Sequence, residues 1–225
     1  MSRLGDLMRP GDPEDHAAER ISRRRFGLWA MAALIVLLPA WWFWGADVAI
    51  VALRPVADIV LKLFGLSGGV SSAAPEGWFI GTGLKTAAGT DFILPVSRTL
   101  LRRFVLGAPL FAALMIAPPR VSRPGVAVAV GIGVLTILFV LSLTAFVWGE
   151  LAPILNHALL ADGLQRAALS SPPLPAIGAQ VAMIGRYVAI SIAPLLTTVI
   201  MWACLNPGGR HVLLGDIGAP VATGD

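Results

Sequence analysis

Apolar positions fall into four runs, separated by charged or by glycine- and proline-rich stretches. The first, Phe26 to Ala46, has no charged residue. As a helix its 21 residues, at about 1.5 Å each, cross the roughly 30 Å hydrocarbon core of a bilayer. The second covers residues 99–117, with its apolar part from Phe104 to Ala117 and Arg102-Arg103 at its entrance. Those arginines can snorkel and lengthen the effective span. The third is Gly125 to Trp148, and the fourth is Ala179 to Leu205, with Arg186 near its start and Pro194 in its middle. The pattern predicts an all-α membrane protein with about four transmembrane helices. The basic flank of the first run also fits a signal peptide. Its far end, however, is Trp41-Trp42-Phe43-Trp44, where cleavage would need small residues, so the expectation is an uncleaved anchor.

The runs leave two longer connections. Residues 47–98 begin with an apolar stretch carrying Asp47, Arg54, Asp58 and Lys62. The last three are spaced by four on one helical face, opposite Ile50, Val56, Ile59, Leu63 and Phe64. Four charges in residues 47–66 argue against another span and for an amphipathic extracytoplasmic helix on the membrane surface. Its apolar face either touches lipid or packs on the bundle, and Pro55 is expected to kink it or mark its start. Gly65 to Gly77 reads as a loop. Trp78-Phe79-Ile80 and Phe92-Ile93-Leu94 flank a glycine-containing middle and predict a small β-hairpin, which needs a partner surface to be stable. In the second connection, residues 149–178, a short helix over 152–169 is expected to end at the prolines of Ser170 to Pro175. The tail, residues 206–225, is glycine-rich and reads as loose.

Composition agrees: 56% of residues are hydrophobic and 13% charged, about half the charge usual in a soluble domain. The net charge of +4 raises the question of nucleic acid, but its distribution argues against it. Six of 17 basic residues, Arg3, Arg9, Arg20, Arg23, Arg24 and Arg25, lie in the leader, residues 1–25, directly before the first run. Such a cluster orients a membrane protein with that flank in the cytoplasm. Four spans then place the turn at residues 118–124, with Arg120 and Arg123, and the tail, with Arg210, on the same side. Both termini are therefore expected to be cytoplasmic, although Arg98, Arg102 and Arg103 fall on the other side and oppose that orientation. Trp29, Trp41, Trp42, Trp44, Trp148 and Trp202 stand near predicted helix ends, as in an aromatic belt; Trp78 does not.

Candidate chemistry is sparse. The third span offers Thr136, Ser142 and Thr144; the fourth offers Arg186, Tyr187, Ser191, Thr197, Thr198 and Cys204. No carboxylate stands in the middle of a span, which weakens a proton- or cation-coupled transporter. Cys204, the single cysteine, has only His211 nearby as a base and reads as a small buried hydrophobe. Glu150, His157 and Asp162 share residues 149–178, where a solvated interfacial face outweighs a metal or acid–base site. Arg186 either snorkels or pairs with Glu150 or Asp162. Gly131 and Gly133 permit close helix approach without forming GxxxG. Gly81-Thr82-Gly83 has no following helix, so it is not a phosphate loop. No cofactor is expected. The surface candidates for binding a partner are Trp78 and Phe79, as aromatic anchors, and Arg186.

The order of parts carries a resemblance. An anchor, an amphipathic helix and an extended segment precede Leu106-Gly107-Ala108-Pro109-Leu110-Phe111-Ala112-Ala113-Leu114 and a proline- and arginine-containing turn. A long span and an outer helical segment then precede Gly185-Arg186-Tyr187-Val188-Ala189-Ile190-Ser191-Ile192-Ala193-Pro194-Leu195-Leu196. Over most of residues 26–205 the chain resembles the exosortase H-associated membrane proteins of Gram-negative bacteria. The resemblance implies an accessory role beside an exosortase, a transpeptidase-like membrane enzyme that processes proteins with C-terminal sorting signals. Exosortases use a Cys, Arg and His set at the outer membrane face, which this chain lacks. The leading expectation is a non-enzymatic accessory protein of the bacterial inner membrane, partnered by the lipid bilayer and a membrane protein such as an exosortase. A small transporter or channel subunit and a membrane-embedded enzyme are the alternatives.

Overall fold

The computed structural model describes residues 13–66, 68–73, 77–86, 89–118, 123–156 and 174–214. Among the described residues three helical stretches are long and apolar enough to cross a membrane, or four if a bent helix pair is one span. The first stretch, Arg23–Leu63, is 41 residues long. It joins α1 (Pro13–Ala40), one π-helical turn (Trp41–Gly45) and α2 (Ala46–Leu63). The amphipathic segment therefore continues the first helix instead of forming a separate surface helix. Pro55 lies inside α2 and does not start it.

The second stretch, Arg98–Ile116, comprises α3 (Arg98–Phe104) and α4 (Gly107–Ile116). Ser97 caps α3, its hydroxyl accepting from the Leu100 amide at 3.3 Å. The third is α5 (Pro124–Leu155), which runs on past Trp148; at about 1.5 Å per residue it reaches roughly 48 Å. The expected short helix at 152–169 lies mostly outside the described residues. The fourth is α6 (Ala176–Ser191) followed by α7 (Ala193–Leu205), bent by 62°. The bend follows from Pro194, whose missing N–H and ring break the helical ladder just past Ile192. The tail begins with a further helix, α8 (Pro207–Leu214), where sequence had suggested loose chain.

Three strands, β1 (Gly69–Ala73), β2 (Gly77–Lys85) and β3 (Asp91–Ser97), form an antiparallel sheet ordered β1-β2-β3. The expected hairpin is thus two-thirds of the sheet, and β1 occupies what reads in sequence as a loop. Register sets Trp78 opposite Val96 and Ile80 opposite Leu94 and Val70. These side chains face inward and are buried, with Phe104, Phe139 and Leu143. Trp78 and Phe104 each meet Phe139 edge to face, at 5.9 and 6.3 Å between ring centroids.

At the other end a smaller cluster joins Phe26, Phe111, Ala117, Met201 and Trp202. Trp202 is buried there instead of lying in a belt, its Nε1–H donating to the Leu114 carbonyl at 3.0 Å. On α5, Gly131 faces the Phe111 ring at a distance no Cβ permits, while Gly133 faces open space. Cys204 is exposed and not buried as expected, since the bent α7 turns Met201 and Trp202, not Cys204, inward.

Candidate interaction site at the sheet end

The charged stripe of α2 holds the sheet. Val70 on β1 donates its amide to Asp58 Oδ1 at 2.8 Å, and its carbonyl accepts from Arg54 Nε and Nη2 at 3.2 and 3.0 Å. Lys62 Nζ bonds the second Asp58 oxygen at 2.6 Å. The hydrogen bond from Lys62, then that from the Val70 amide, holds the Asp58 carboxyl below the usual carboxylate range. Two side chains of a helix thus bind the outward backbone groups of an edge strand and close that edge to further strand pairing. The buried faces of Ile50, Ala57 and Leu61 complete the attachment, while Val48, Val51, Ile59 and Leu63 remain exposed. One apolar face of the helix thus packs on the protein, and another is exposed.

A second latch joins α2 to α3. Asp47 is the first residue beyond the apolar run, and both of its oxygens accept from Arg98 and from Arg102. The contacts are bidentate, with Arg102 at 3.1 and 2.8 Å and Arg98 Nε at 2.9 Å. Hydrogen bonds from Arg98, then Arg102, hold the Asp47 carboxyl well below its ordinary range. Arg102 also stacks over the Trp42 ring, 5.5 Å from its centroid.

The third latch joins α5 to α6. Arg186 Nη1 donates to Glu150 Oε1 at 2.6 Å, and its guanidinium lies 4.9 Å from the Tyr187 ring centroid. Pairing, not simple snorkelling, is therefore the state of Arg186. Gly149 makes the approach possible, because a Cβ there would stand 2.5 Å from Arg186 Cβ and 2.8 Å from the Ala182 carbonyl. The alternative partner Asp162 and the histidine His157 lie outside the described residues.

The expected aromatic anchors separate. Trp78 is 3% exposed and belongs to the core, which corrects its placement on the surface. Phe79, one residue on, points to the opposite face and is half-buried. It stands opposite Pro95, with Ile93, 53% exposed, at the diagonal position. The outward face of the sheet thus presents Phe79, Ile93 and Pro95. Thr82 is buried, its hydroxyl donating to the Phe92 carbonyl at 2.8 Å, so the Gly81-Thr82-Gly83 segment is sheet backbone. Among the described residues no three His, Cys, Asp or Glu side chains group as metal ligands. Sequence reading missed the Asp47 latch. Its signal was there in Arg98 and Arg102, four apart on one helical face.

Apolar helices of membrane-crossing length thus stand beside a small sheet held by ionic latches. The profile of the exosortase H-associated membrane proteins matches residues 20–209, and the chain belongs to that family. No curated protein and no solved structure matches it.

Proposed function

We propose that this protein is a non-enzymatic accessory protein of the bacterial inner membrane, with both termini cytoplasmic, that binds a membrane partner through the outward face of its sheet. The family name points to an exosortase as that partner. The observation that carries the reading is the outward sheet face, where exposed Ile93 on β3 stands beside Phe79 on β2, and among the described residues no other strand covers the outer edge of β3. Aromatic and aliphatic side chains raised on a rigid support are what binding hot spots need. The latches favour support over catalysis, since Asp47, Asp58 and Glu150 each hold a cation in a structural contact.

A photocrosslinking residue at 79 or 93 is expected to capture the exosortase encoded by the same genome. Phe79→Ser with Ile93→Ser is expected to release the exosortase in gentle detergent while leaving membrane insertion intact. Crosslinks confined to the chain, with exosortase retention unchanged in the double variant, would remove the docking role. Reporter fusions at residues 85 and 225 check the orientation, which requires opposite sides.

A further inference from the structure

Backbone alternation in the sheet decides which groups of β3 face outward. Gly68 N–H donates to the Gly81 carbonyl at 3.0 Å, and the Ser71 hydroxyl donates to the Phe79 carbonyl at 3.3 Å. The backbone groups of Phe79 and Gly81 therefore point to β1, and those of Ile80 between them point to β3. Ile80 stands opposite Leu94, Gly81 opposite Ile93 and Phe79 opposite Pro95. Leu94 thus bonds β2, while Ile93 and Pro95 turn their backbone nitrogens and carbonyls to the outer edge. The Phe92 carbonyl accepts from the Thr82 hydroxyl at 2.8 Å and points inward, as the alternation requires.

The two edges of the sheet differ in what meets them. On β1 the outward pair belongs to Val70, and Asp58 and Arg54 satisfy its amide and its carbonyl. On β3 the equivalent pair belongs to Ile93. Among the described residues no strand pairs with that edge, and no group is bonded to its outward amide or carbonyl. Asp91, Ile93, Pro95 and Ser97 along it are exposed. Pro95 stands where its missing N–H costs no bond to β2 and removes one donor from the edge. The open edge thus offers a full donor–acceptor pair at Ile93 and a lone acceptor at Pro95. A second β3 laid on it would bring a second proline and lose a donor from each strand, whereas a strand without proline loses only one. The edge therefore disfavours its own copy.

We propose that β3 accepts one extended, proline-free segment of the membrane partner as a fourth strand, bonded to the N–H and carbonyl of Ile93. Main-chain hydrogen bonds supply the attachment, and alternate side chains of the segment supply the selection. The residue paired with Ile93 shares the outward face with Ile93 and Phe79, so an apolar side chain is expected there. This inference rests on the sheet being the docking element, as proposed above, and assigns the mode: strand addition at an edge, not contact with a face alone.

Residue-resolved amide hydrogen exchange on the full chain in gentle detergent, with and without the exosortase encoded by the same genome, tests it. In the free chain the Ile93 amide is expected to exchange about tenfold or more faster than the Leu94 amide, after correction for intrinsic rates, and to slow by about as much in the complex. Ile93→Pro removes the outward donor without touching the bonds to β2 and is expected to weaken exosortase binding by about tenfold. Ile93→Val keeps the donor and is expected to bind as wild type does. Pro95→Val restores the missing donor and is expected to tighten binding by about two- to tenfold, the order of one net hydrogen bond. Thermal unfolding identifies any variant that fails to fold; if Ile93→Pro does, Pro95→Val and the exchange decide. Exosortase retained with the Ile93 amide as fast as in the free chain, and with binding unchanged in the folded variants, would overturn strand addition and leave face docking standing. An Ile93 amide already protected without exosortase, in a monomer or a homodimer, would overturn it too, by showing that this chain covers its own edge. Absence of exosortase binding by the wild type would remove the docking role itself, and strand addition with it.

Discussion

The two ends of the molecule are built on opposite principles. At the sheet end, twenty buried apolar residues form one cluster, and the ion pairs of Asp47, Asp58 and Glu150 lie around it. At the far end five buried residues suffice, and Leu28, Ile35 and Val36 on the first helix are 66–71% exposed. In the first helix only 6% of the most apolar window is buried by protein. Where hydrocarbon surrounds a helix, apolar side chains need no protein cover, and packing reduces to close contacts such as Gly131 against Phe111. Where the chain leaves the hydrocarbon it must build its own interior and pair its own charges. The asymmetry of burial accords with the membrane character of the family.

The largest expected effect tests the interior of the sheet end. Trp78→Ala removes a buried indole from contact with Phe139 and is expected to cost about 3–5 kcal/mol, read as a lower unfolding temperature in detergent and faster proteolysis near residue 85. Leu28→Ala, at the far end, is expected to shift stability by less than about 0.5 kcal/mol. Comparable losses at both sites would erase the distinction between the ends.

An intermediate effect separates two glycines. Gly149→Ala drives a methyl into Arg186 and the Ala182 carbonyl and is expected to cost about 1–3 kcal/mol while disturbing the Glu150 pair. Gly133→Ala meets nothing and is expected to be neutral or slightly stabilising, through helix propensity. Thermal unfolding of both variants in the same detergent orders them; a reversed order would contradict the α5–α6 contact.

The smallest effect belongs to Asp58. Exposed pairs contribute about 0–1 kcal/mol, so Asp58→Asn is expected to change global stability little and to act on β1 alone. Because its carboxyl titrates below the ordinary value of about 3.9, its contribution is complete above that pH and lost as pH falls through the lower folded value. Hydrogen exchange at the Val70 amide is expected to stay slow, after correction for intrinsic rate, down to about pH 4 and to quicken below. In Asp58→Asn it is expected to be quicker already at neutral pH. A Val70 amide indifferent to both changes would detach the stripe from the strand.

Much of the span pattern was legible because apolar runs and their charged flanks are local features of sequence. The sheet was legible in part. Trp78-Phe79-Ile80 and Phe92-Ile93-Leu94 announce strands by composition, whereas Gly69-Val70-Ser71-Ser72-Ala73 has one strong β-former and becomes a strand through β2 and the α2 stripe. Trp78 and Phe79 are equivalent as aromatic residues, and only pairing register decides which is inside, since a one-residue step reverses the face. The pairing of Arg186 was foreseen as one of two choices, because the geometry of neighbouring helix ends narrows its partners. Asp47 with Arg98 and Arg102 could not be read in the same way, since the partners stand 51 and 55 positions apart. The exposure of Cys204 depends on a bend at Pro194 whose size no local pattern gives.

The π-helical turn also acts as a phase shifter. An α-helix advances about 100° per residue, so the single extra residue absorbed by the wider turn rotates everything after it by about that angle. Before the turn, the angular position of α1 is set by its seat against α4. After it, the position of α2 is judged by where Arg54 and Asp58 point, which is at the two backbone groups of Val70. Closing the wide turn to α geometry with every residue kept would turn the stripe more than a quarter circle away from the strand, whereas removing one residue within Trp41–Gly45 would leave it in place. One irregular turn thereby reconciles two angular demands that a uniform helix of this sequence would set against each other.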